Sequence, residues 1–211
     1  MNKLNKILIL VFISKSIFAD IPKSNFPSEL PILETKNLIL RLVDLKDTDE
    51  IFQITCDPEV AKLTGMFELH KNKEETYLYI QNYLLKAFNN KSMLPWVVIH
   101  KETNKIIGFA GLLAFMPINL KAEIFGVGSK EFWNKGYATE GAKLIIKFGF
   151  EVLNLNRIHG TCDPLNIASQ RVLEKCEMQF EGLLRNYIVA QGKCSDRKMY
   201  SIIKQEYFRA S

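Results

Sequence analysis

An α/β domain around one mixed central sheet flanked by helices is the fold this sequence predicts, on three observations. Period-2 and period-3.6 stretches follow one another as β-α-α-β-β-β-α-β-α-β-β, without the strict alternation of a doubly wound sheet. Two pairs of strand-like runs are separated by short polar turns, at residues 101–104 and 191–193, as antiparallel neighbours require. The 211 residues, 47% hydrophobic and 24% charged with 14 Phe, suit one medium domain with a sizeable core plus an appendage.

The appendage is residues 1–32. A short basic region at residues 1–6 precedes an apolar run at 7–13, and Ala19 could end a cleavage site, so the segment resembles a secretory signal. It is too short to span a bilayer, and no stable membrane insertion is expected. Lys15 interrupts the region, and Ile17 is larger than the small residue usual two positions before a cut. Pro22, Pro27 and Pro31 then give an extended linker. Export and an over-long reading frame both remain open.

The domain is expected over residues 33–208. Residues 37–42 alternate as a first strand. Leu45, Thr48, Ile51, Phe52 and Thr55 recur at helical spacing over 44–56, and Asp57-Pro58 ends that helix. A second helix over 73–88 carries the stripe Tyr77, Ile80, Tyr83 or Leu84, and Ala87. Strands at 95–100 and 105–114 form a hairpin, and a third central strand covers 122–128. The helix over 136–153 places apolar residues at 138, 142, 145, 149 and 152. A strand at 157–162, a short helix at 166–176 and closing strands near 185–190 and 197–203 complete the order.

Composition excludes more than it assigns. The net charge of +5 is modest, and no basic run interleaved with aromatics suggests a nucleic-acid groove. Cys56, Cys162, Cys176 and Cys194 stand far apart, and the three histidines complete no ligand spacing. Reduced thiols and no metal site are therefore expected.

Chemistry concentrates at Lys135-Gly136-Tyr137-Ala138, where a strand gives way to a helix. The first amides of a helix lack intrahelical partners, and the helix dipole adds positive potential. Gly136 lets the backbone approach an anion closely, and Ala138 keeps the first turn unobstructed, so a pyrophosphate is the natural guest.

This stretch belongs to a series: Glu-Phe-Trp-Asn-Lys-Gly-Tyr-Ala-Thr-Glu (131–140), Leu-Asn-Arg-Ile (155–158), Asp-Pro-Leu-Asn-Ile-Ala-Ser-Gln-Arg-Val-Leu-Glu-Lys (163–175) and Glu-Gly-Leu-Leu-Arg (181–185). Together with residues 33–41, the series resembles the GCN5-related N-acetyltransferases (GNAT), in the branch of the bacterial enzymes that acetylate ribosomal-protein N-termini (RimJ/RimL-like). The resemblance covers about residues 33–208. It implies acetyl-CoA as co-substrate and a primary amine as acceptor, either a peptide N-terminus or a small molecule.

It also implies roles. The backbone of Trp133, Asn134, Lys135, Gly136, Tyr137, Ala138 and Thr139 would hold the pyrophosphate. Phe125, Gly126 and Val127 would pair with the pantetheine arm as an added strand. Asn166 would contact CoA, although a helix N-cap suits it equally well. Direct transfer needs no covalent enzyme intermediate. Glu123 is the candidate base, or the residue that positions the amine, and Ser169 the candidate donor to the leaving sulfur. His159 reads as an ordinary strand residue.

Three departures from the family pattern matter. Phe125-Gly126 and Gly128 alter the strand beside the thioester. Gly141 costs roughly 1 kcal/mol inside its helix. Glu177 replaces glycine at a helix exit, with a strain of about 1 kcal/mol if φ is positive there. A cytoplasmic acetyltransferase is the first reading, a CoA-binding module with decayed catalysis the second, and an exported protein the third. Oligomeric state and the identity of the acceptor are not readable.

Overall fold

The computed structural model describes residues 26–64, 67–190 and 192–210, so the signal-like segment and the first half of the proline linker lie outside it. Eight strands form one sheet in the order β1-β2-β3-β4-β5-β6-β8-β7. They are β1 (Leu33–Glu34), β2 (Leu38–Leu42), β3 (Met93–His100), β4 (Lys105–Met116), β5 (Lys121–Gly128), β6 (Arg157–Cys162), β7 (Gln179–Ala190) and β8 (Lys193–Ile203). Only β5 and β6 run parallel; every other pair is antiparallel. The mixed sheet of the sequence reading is therefore correct, and its element order survives with additions.

One face carries α1 (Thr48–Thr55), α2 (Pro58–Thr64), α3 (Lys73–Tyr79) and α4 (Lys86–Asn89). Ile51, Ile54, Val60, Ile80 and Leu84 bury there against Val97, Phe109, Phe125 and Val127. The other face carries α5 (Tyr137–Glu151) and α6 (Ile167–Lys175), with Ile145, Phe148 and Leu173 packed on Leu40, Trp96 and Ile124. A last helix, α7 (Lys204–Ala210), stacks Tyr207 on Phe150 at 5.0 Å. The chain already packs on this domain from Phe26, whose ring lies 5.6 Å from Phe115, and Trp96 Nε1 donates to Pro31 O at 3.0 Å.

Where the elements differ from expectation, local chemistry explains it. Asp57-Pro58 ends α1 but also begins α2. Asp57 Oδ1 accepts from the amides of Glu59 at 2.8 Å and Val60 at 3.3 Å, and proline suits the first helical position, where no N–H bond is needed. The second predicted helix is broken by a π-helical turn at Ile80–Leu85, so Thr76 rather than Tyr77 is buried and Tyr83 turns outward. On α5 the buried face runs through Gly141, Ile145, Phe148 and Gly149, whereas Ala138 and Val152 are exposed.

The closing strands are longer than their alternation suggests. Register shifts at Phe180/Gly182 and Leu184/Ile188 break the period of two that sequence reading relies on. In β4, glycine is obligatory at Gly111, where a Cβ would stand 1.9 Å from Leu94 O.

Glu177 does hold φ 63°, and the amides beyond α6 close back on it, Glu177 N to Glu174 O at 2.9 Å and Met178 N to Leu173 O at 3.1 Å. This is the left-handed helix exit that glycine favours. Glu177→Gly should therefore raise stability by about 1 kcal/mol, read as a higher denaturation midpoint.

Candidate functional site

The site begins where two strands part. β5 and β6 pair at Lys121↔Arg157, Ala122↔Ile158 and Glu123↔His159, and their pairing ends there although both strands continue. Ile124 and Leu173 fill the angle above Gly160, where a Cβ would lie 3.1 Å from Ile124 Cγ2 and 3.0 Å from Leu173 Cδ2. Beyond Glu123, β5 keeps β4 on one edge, through Gly108↔Gly128, and has an open edge on the other. An open edge inside a sheet can take an extended arm as an added strand.

Phe125 and Val127 bury their side chains toward α1–α4, while Gly126 is exposed on the opposite face. The two glycines do not loosen β5. Its register with β4 holds to Gly128, whose carbonyl accepts from Trp133 Nε1 at 2.9 Å.

Eight residues separate β5 from α5. A 3₁₀ turn at Lys130–Phe132 is followed by Asn134 with φ 61° and Gly136 with φ 87°. Gly136 is the N-cap of α5 and offers no side-chain oxygen, so no side chain bonds the first amides of this 15-residue helix. Nothing lies within 4 Å of where a Gly136 Cβ would stand. Asn134 and Lys135 are exposed, and Lys135 Nζ sits 4.9 Å from the Phe132 ring centroid. Tyr137 packs its ring 4.8 Å from His100. Ala138 is exposed and Thr139 half-buried, leaving the first turn uncovered.

Glu140 has a different part, which sequence reasoning missed. Its carboxylate accepts from Asn37 N at 3.0 Å and Asn37 Nδ2 at 2.9 Å. Burial pushes the Glu140 carboxyl up, but the Asn37 and Thr35 hydrogen bonds outweigh it and hold the group below its usual range.

Glu123 stands at the vertex, half-buried, with Oε1 accepting from Thr161 Oγ1 at 2.8 Å and Oε2 lying 3.8 Å from His159 Nε2. Burial pushes His159 below its usual value against the opposing pull of Glu123, and His159 Nδ1 is buried without a partner among the described residues. Thr161 and His159 thus join Glu123. The signal was available in principle, because alternation on a parallel neighbour puts 157, 159 and 161 on one face. Behind them Arg157 clasps Glu181, at 2.7 Å from Nη1 to Oε1, and draws that carboxyl down to about 2.

Across the opening, Asn166 caps α6. Its Oδ1 accepts from Ser169 N at 3.0 Å and its Nδ2 donates to Leu63 O at 3.3 Å. Ser169 Oγ has no hydrogen-bond partner among the described residues. Lys130 pairs with Glu59. Helix α2 is therefore tied to both arms of the opening, through Glu59 after β5 and through Leu63 after β6.

Comparison with known proteins matches residues 37–179 to the acetyltransferase (GNAT) domain model. The chain is 35% identical over 178 residues to the uncharacterized N-acetyltransferase p20 of Bacillus licheniformis, covering 83% of this chain and 97% of that protein. It is 33% identical over 174 residues to the uncharacterized N-acetyltransferase YoaA of Bacillus subtilis, covering 82% and 97%. Among solved structures, a GNAT-family acetyltransferase from Bacillus anthracis superposes with a TM-score of 0.73 at 27% identity, covering 83% of this chain and all of that one.

Proposed function

The chain belongs to the GNAT family of acetyltransferases, and on that premise we propose how its own residues carry an acetyl group from acetyl-CoA to a primary amine. It is an acetyl-CoA-dependent N-acetyltransferase; the roles below are our reading of the site. The observation that carries it is the open edge of β5 beside an uncapped helix start.

The residues present fit the co-substrate. The edge of Phe125, Gly126 and Val127 suits the pantetheine arm, and the backbone from Trp133 to Thr139 suits the pyrophosphate, the Trp133 amide closing the turn on Lys130 O at 3.2 Å while no described side chain bonds the amides that open α5. Bound acetyl-CoA supplies an activated thioester. Backbone N–H groups of β5 then polarise its carbonyl. Glu123, kept in place by Thr161, accepts the proton of the attacking amine or orients it. Ser169, with its hydroxyl uncommitted, donates to the departing sulfur. Asn166 sets the angle of α6 and borders the CoA side.

The acceptor side is formed by residues 57–90 and 115–121. The RimJ/RimL-like branch and a cytoplasmic location, where acetyl-CoA is made and used, complete the reading. No described helix is long and apolar enough to cross a membrane. A decayed, purely CoA-binding module draws no support from β5, whose pairing with β4 is unbroken from Glu123 to Gly128.

Calorimetric titration with acetyl-CoA, joined to a CoA-release assay over an amine and peptide panel, tests the whole reading; tight binding with no release on any acceptor would overturn it. Gly136→Asp tests the phosphate loop. Aspartate tolerates positive φ and can cap α5 itself, so the fold persists while acetyl-CoA affinity drops at least about tenfold through charge repulsion. An unchanged dissociation constant would displace the loop from this role. Glu123→Gln should lower turnover roughly 10²-fold with acetyl-CoA affinity retained, and full turnover would clear Glu123.

A further inference from the structure

A cavity of about 360 Å³ lies on the α1–α4 face, at the small end of ligand-pocket volumes, about 300–1,000 Å³. Its walls include Phe67, His70, Tyr79 and Tyr83, and its charged lining is Glu68 and Glu75 against the single cation Lys71. The rings form a continuous set: His70 lies 5.4 Å from both Phe67 and Tyr79, and Tyr83 stacks on Tyr79 at 5.2 Å. Phe67 and Tyr79 rest on Phe109 at 6.3 and 6.2 Å, and Phe109 is the β4 partner of Val127. The cavity therefore stands over the β4–β5 pair, on the face that Glu123 shares with Phe125 and Val127.

A buried chain of hydroxyls fixes the tautomer of His70. Thr55 Oγ1 donates its one proton to Ile51 O at 3.2 Å, so in its 3.1 Å contact with Thr76 Oγ1 it must accept. The Thr76 proton is thereby spent, and in its 2.8 Å contact with His70 Nδ1 the threonine oxygen accepts in turn. Neutral His70 carries its proton on Nδ1 and leaves Nε2 as a lone-pair acceptor, which no described residue engages. Both threonines are fully buried. Burial pushes His70 below its usual value while Glu75 pulls it upward, so the neutral ring prevails near pH 7. The Tyr79 hydroxyl, buried beside it, also lacks a partner among the described residues.

An acceptor lone pair, ring faces and carboxylates together describe a site for a donor-rich cation. We propose that this cavity binds the acceptor as a compact small-molecule ammonium, which donates N–H to His70 Nε2 and rests on the faces of Tyr79, Tyr83 and Phe67. The volume suits a small organic amine rather than a peptide chain. The inference rests on the acetyltransferase reading and narrows its acceptor; His70 is a binding and positioning residue.

The test uses the full chain with benzylamine and butylamine as probes, benzyl alcohol as neutral control and the peptide Ser-Ala-Ala as competitor class. In imidazole ¹⁵N NMR, free His70 should show protonated Nδ1 and bare Nε2, and benzylamine should shift the Nε2 signal while benzyl alcohol does not. His70→Asn retains a donor to Thr76, so the unfolding midpoint should hold. The KM for the amine should rise about tenfold or more, with kcat and acetyl-CoA affinity within about twofold. Tyr83→Ala, at an exposed ring, should raise KM without touching the relay. Glu68, Glu75, Lys71, Tyr79 and Tyr83 are the other titratable groups around the ring. Amine binding should persist through pH 6.5 and fade below it, as Nε2 gains its proton. Unmoved His70 signals, an unchanged KM in both variants, or turnover of the peptide but of neither small amine would overturn the proposal. Failure of acetyl-CoA binding would instead strike the acetyltransferase reading, and the benzylamine titration would still decide the cavity.

Discussion

The parting of β5 and β6 after Glu123↔His159 is the constraint on which the site depends. Unpaired backbone groups shielded from water cost about 1–3 kcal/mol each, so an edge left open inside a sheet needs support from elsewhere. Here the other edge of β5 is laddered to β4 without a shift from Glu123 to Gly128, and the Phe125 and Val127 side chains are locked into the α1–α4 core. Rigidity on one side makes the vacancy on the other a defined slot rather than a fraying strand. The same parting sets Glu123 at the vertex, close to an arm laid along residues 125–127.

The second requirement is a helix start that is left unbonded. Most helices satisfy their first amides with a Ser, Thr, Asp or Asn side chain. α5 begins instead on a left-handed glycine without one, and the nearest acid, Glu140, spends both oxygens on Asn37. That arrangement joins β2 to α5 and keeps a carboxylate from capping the amides that an anion would use. One residue thus serves stability and preserves the positive end of the helix.

Much of the proposed donor site was legible in the sequence because it is built from backbone. A strand, a glycine and a helix in fixed order suffice to read it, and the residues from Trp133 to Thr139 fall where that order puts them. Side-chain partnerships across distant elements were not legible. Asn37 and Glu140 are 103 positions apart, and nothing local announces their bond. Period-based reading also failed where the backbone itself changes period, at the π-helical turn of Ile80–Leu85 and at the register shifts of β7. The Asp57-Pro58 pair was read only as a stop, although its chemistry serves equally well as a start.

Two of these failures, the π-helical turn and the start at Asp57-Pro58, fall on the proposed acceptor side, for a physical reason. The donor has one structure, so a conserved geometry of amides can hold it, whereas amines differ in size, charge and hydrogen bonding. Selectivity among them has to come from side chains, and side chains take their aim from irregular backbone. The π-helical turn does this at α3. It turns Tyr83 outward to stack on Tyr79, while Ile80 and Leu84 stay in the core. His70 donates from Nδ1 to Thr76, one turn before Tyr79 on the same helix, whose own proton is spent on Thr55 of α1. A wall aimed by one distortion and a tautomer set by two buried hydroxyls can change between relatives without disturbing the β5 slot. The fold can therefore keep its donor chemistry constant while its acceptor varies.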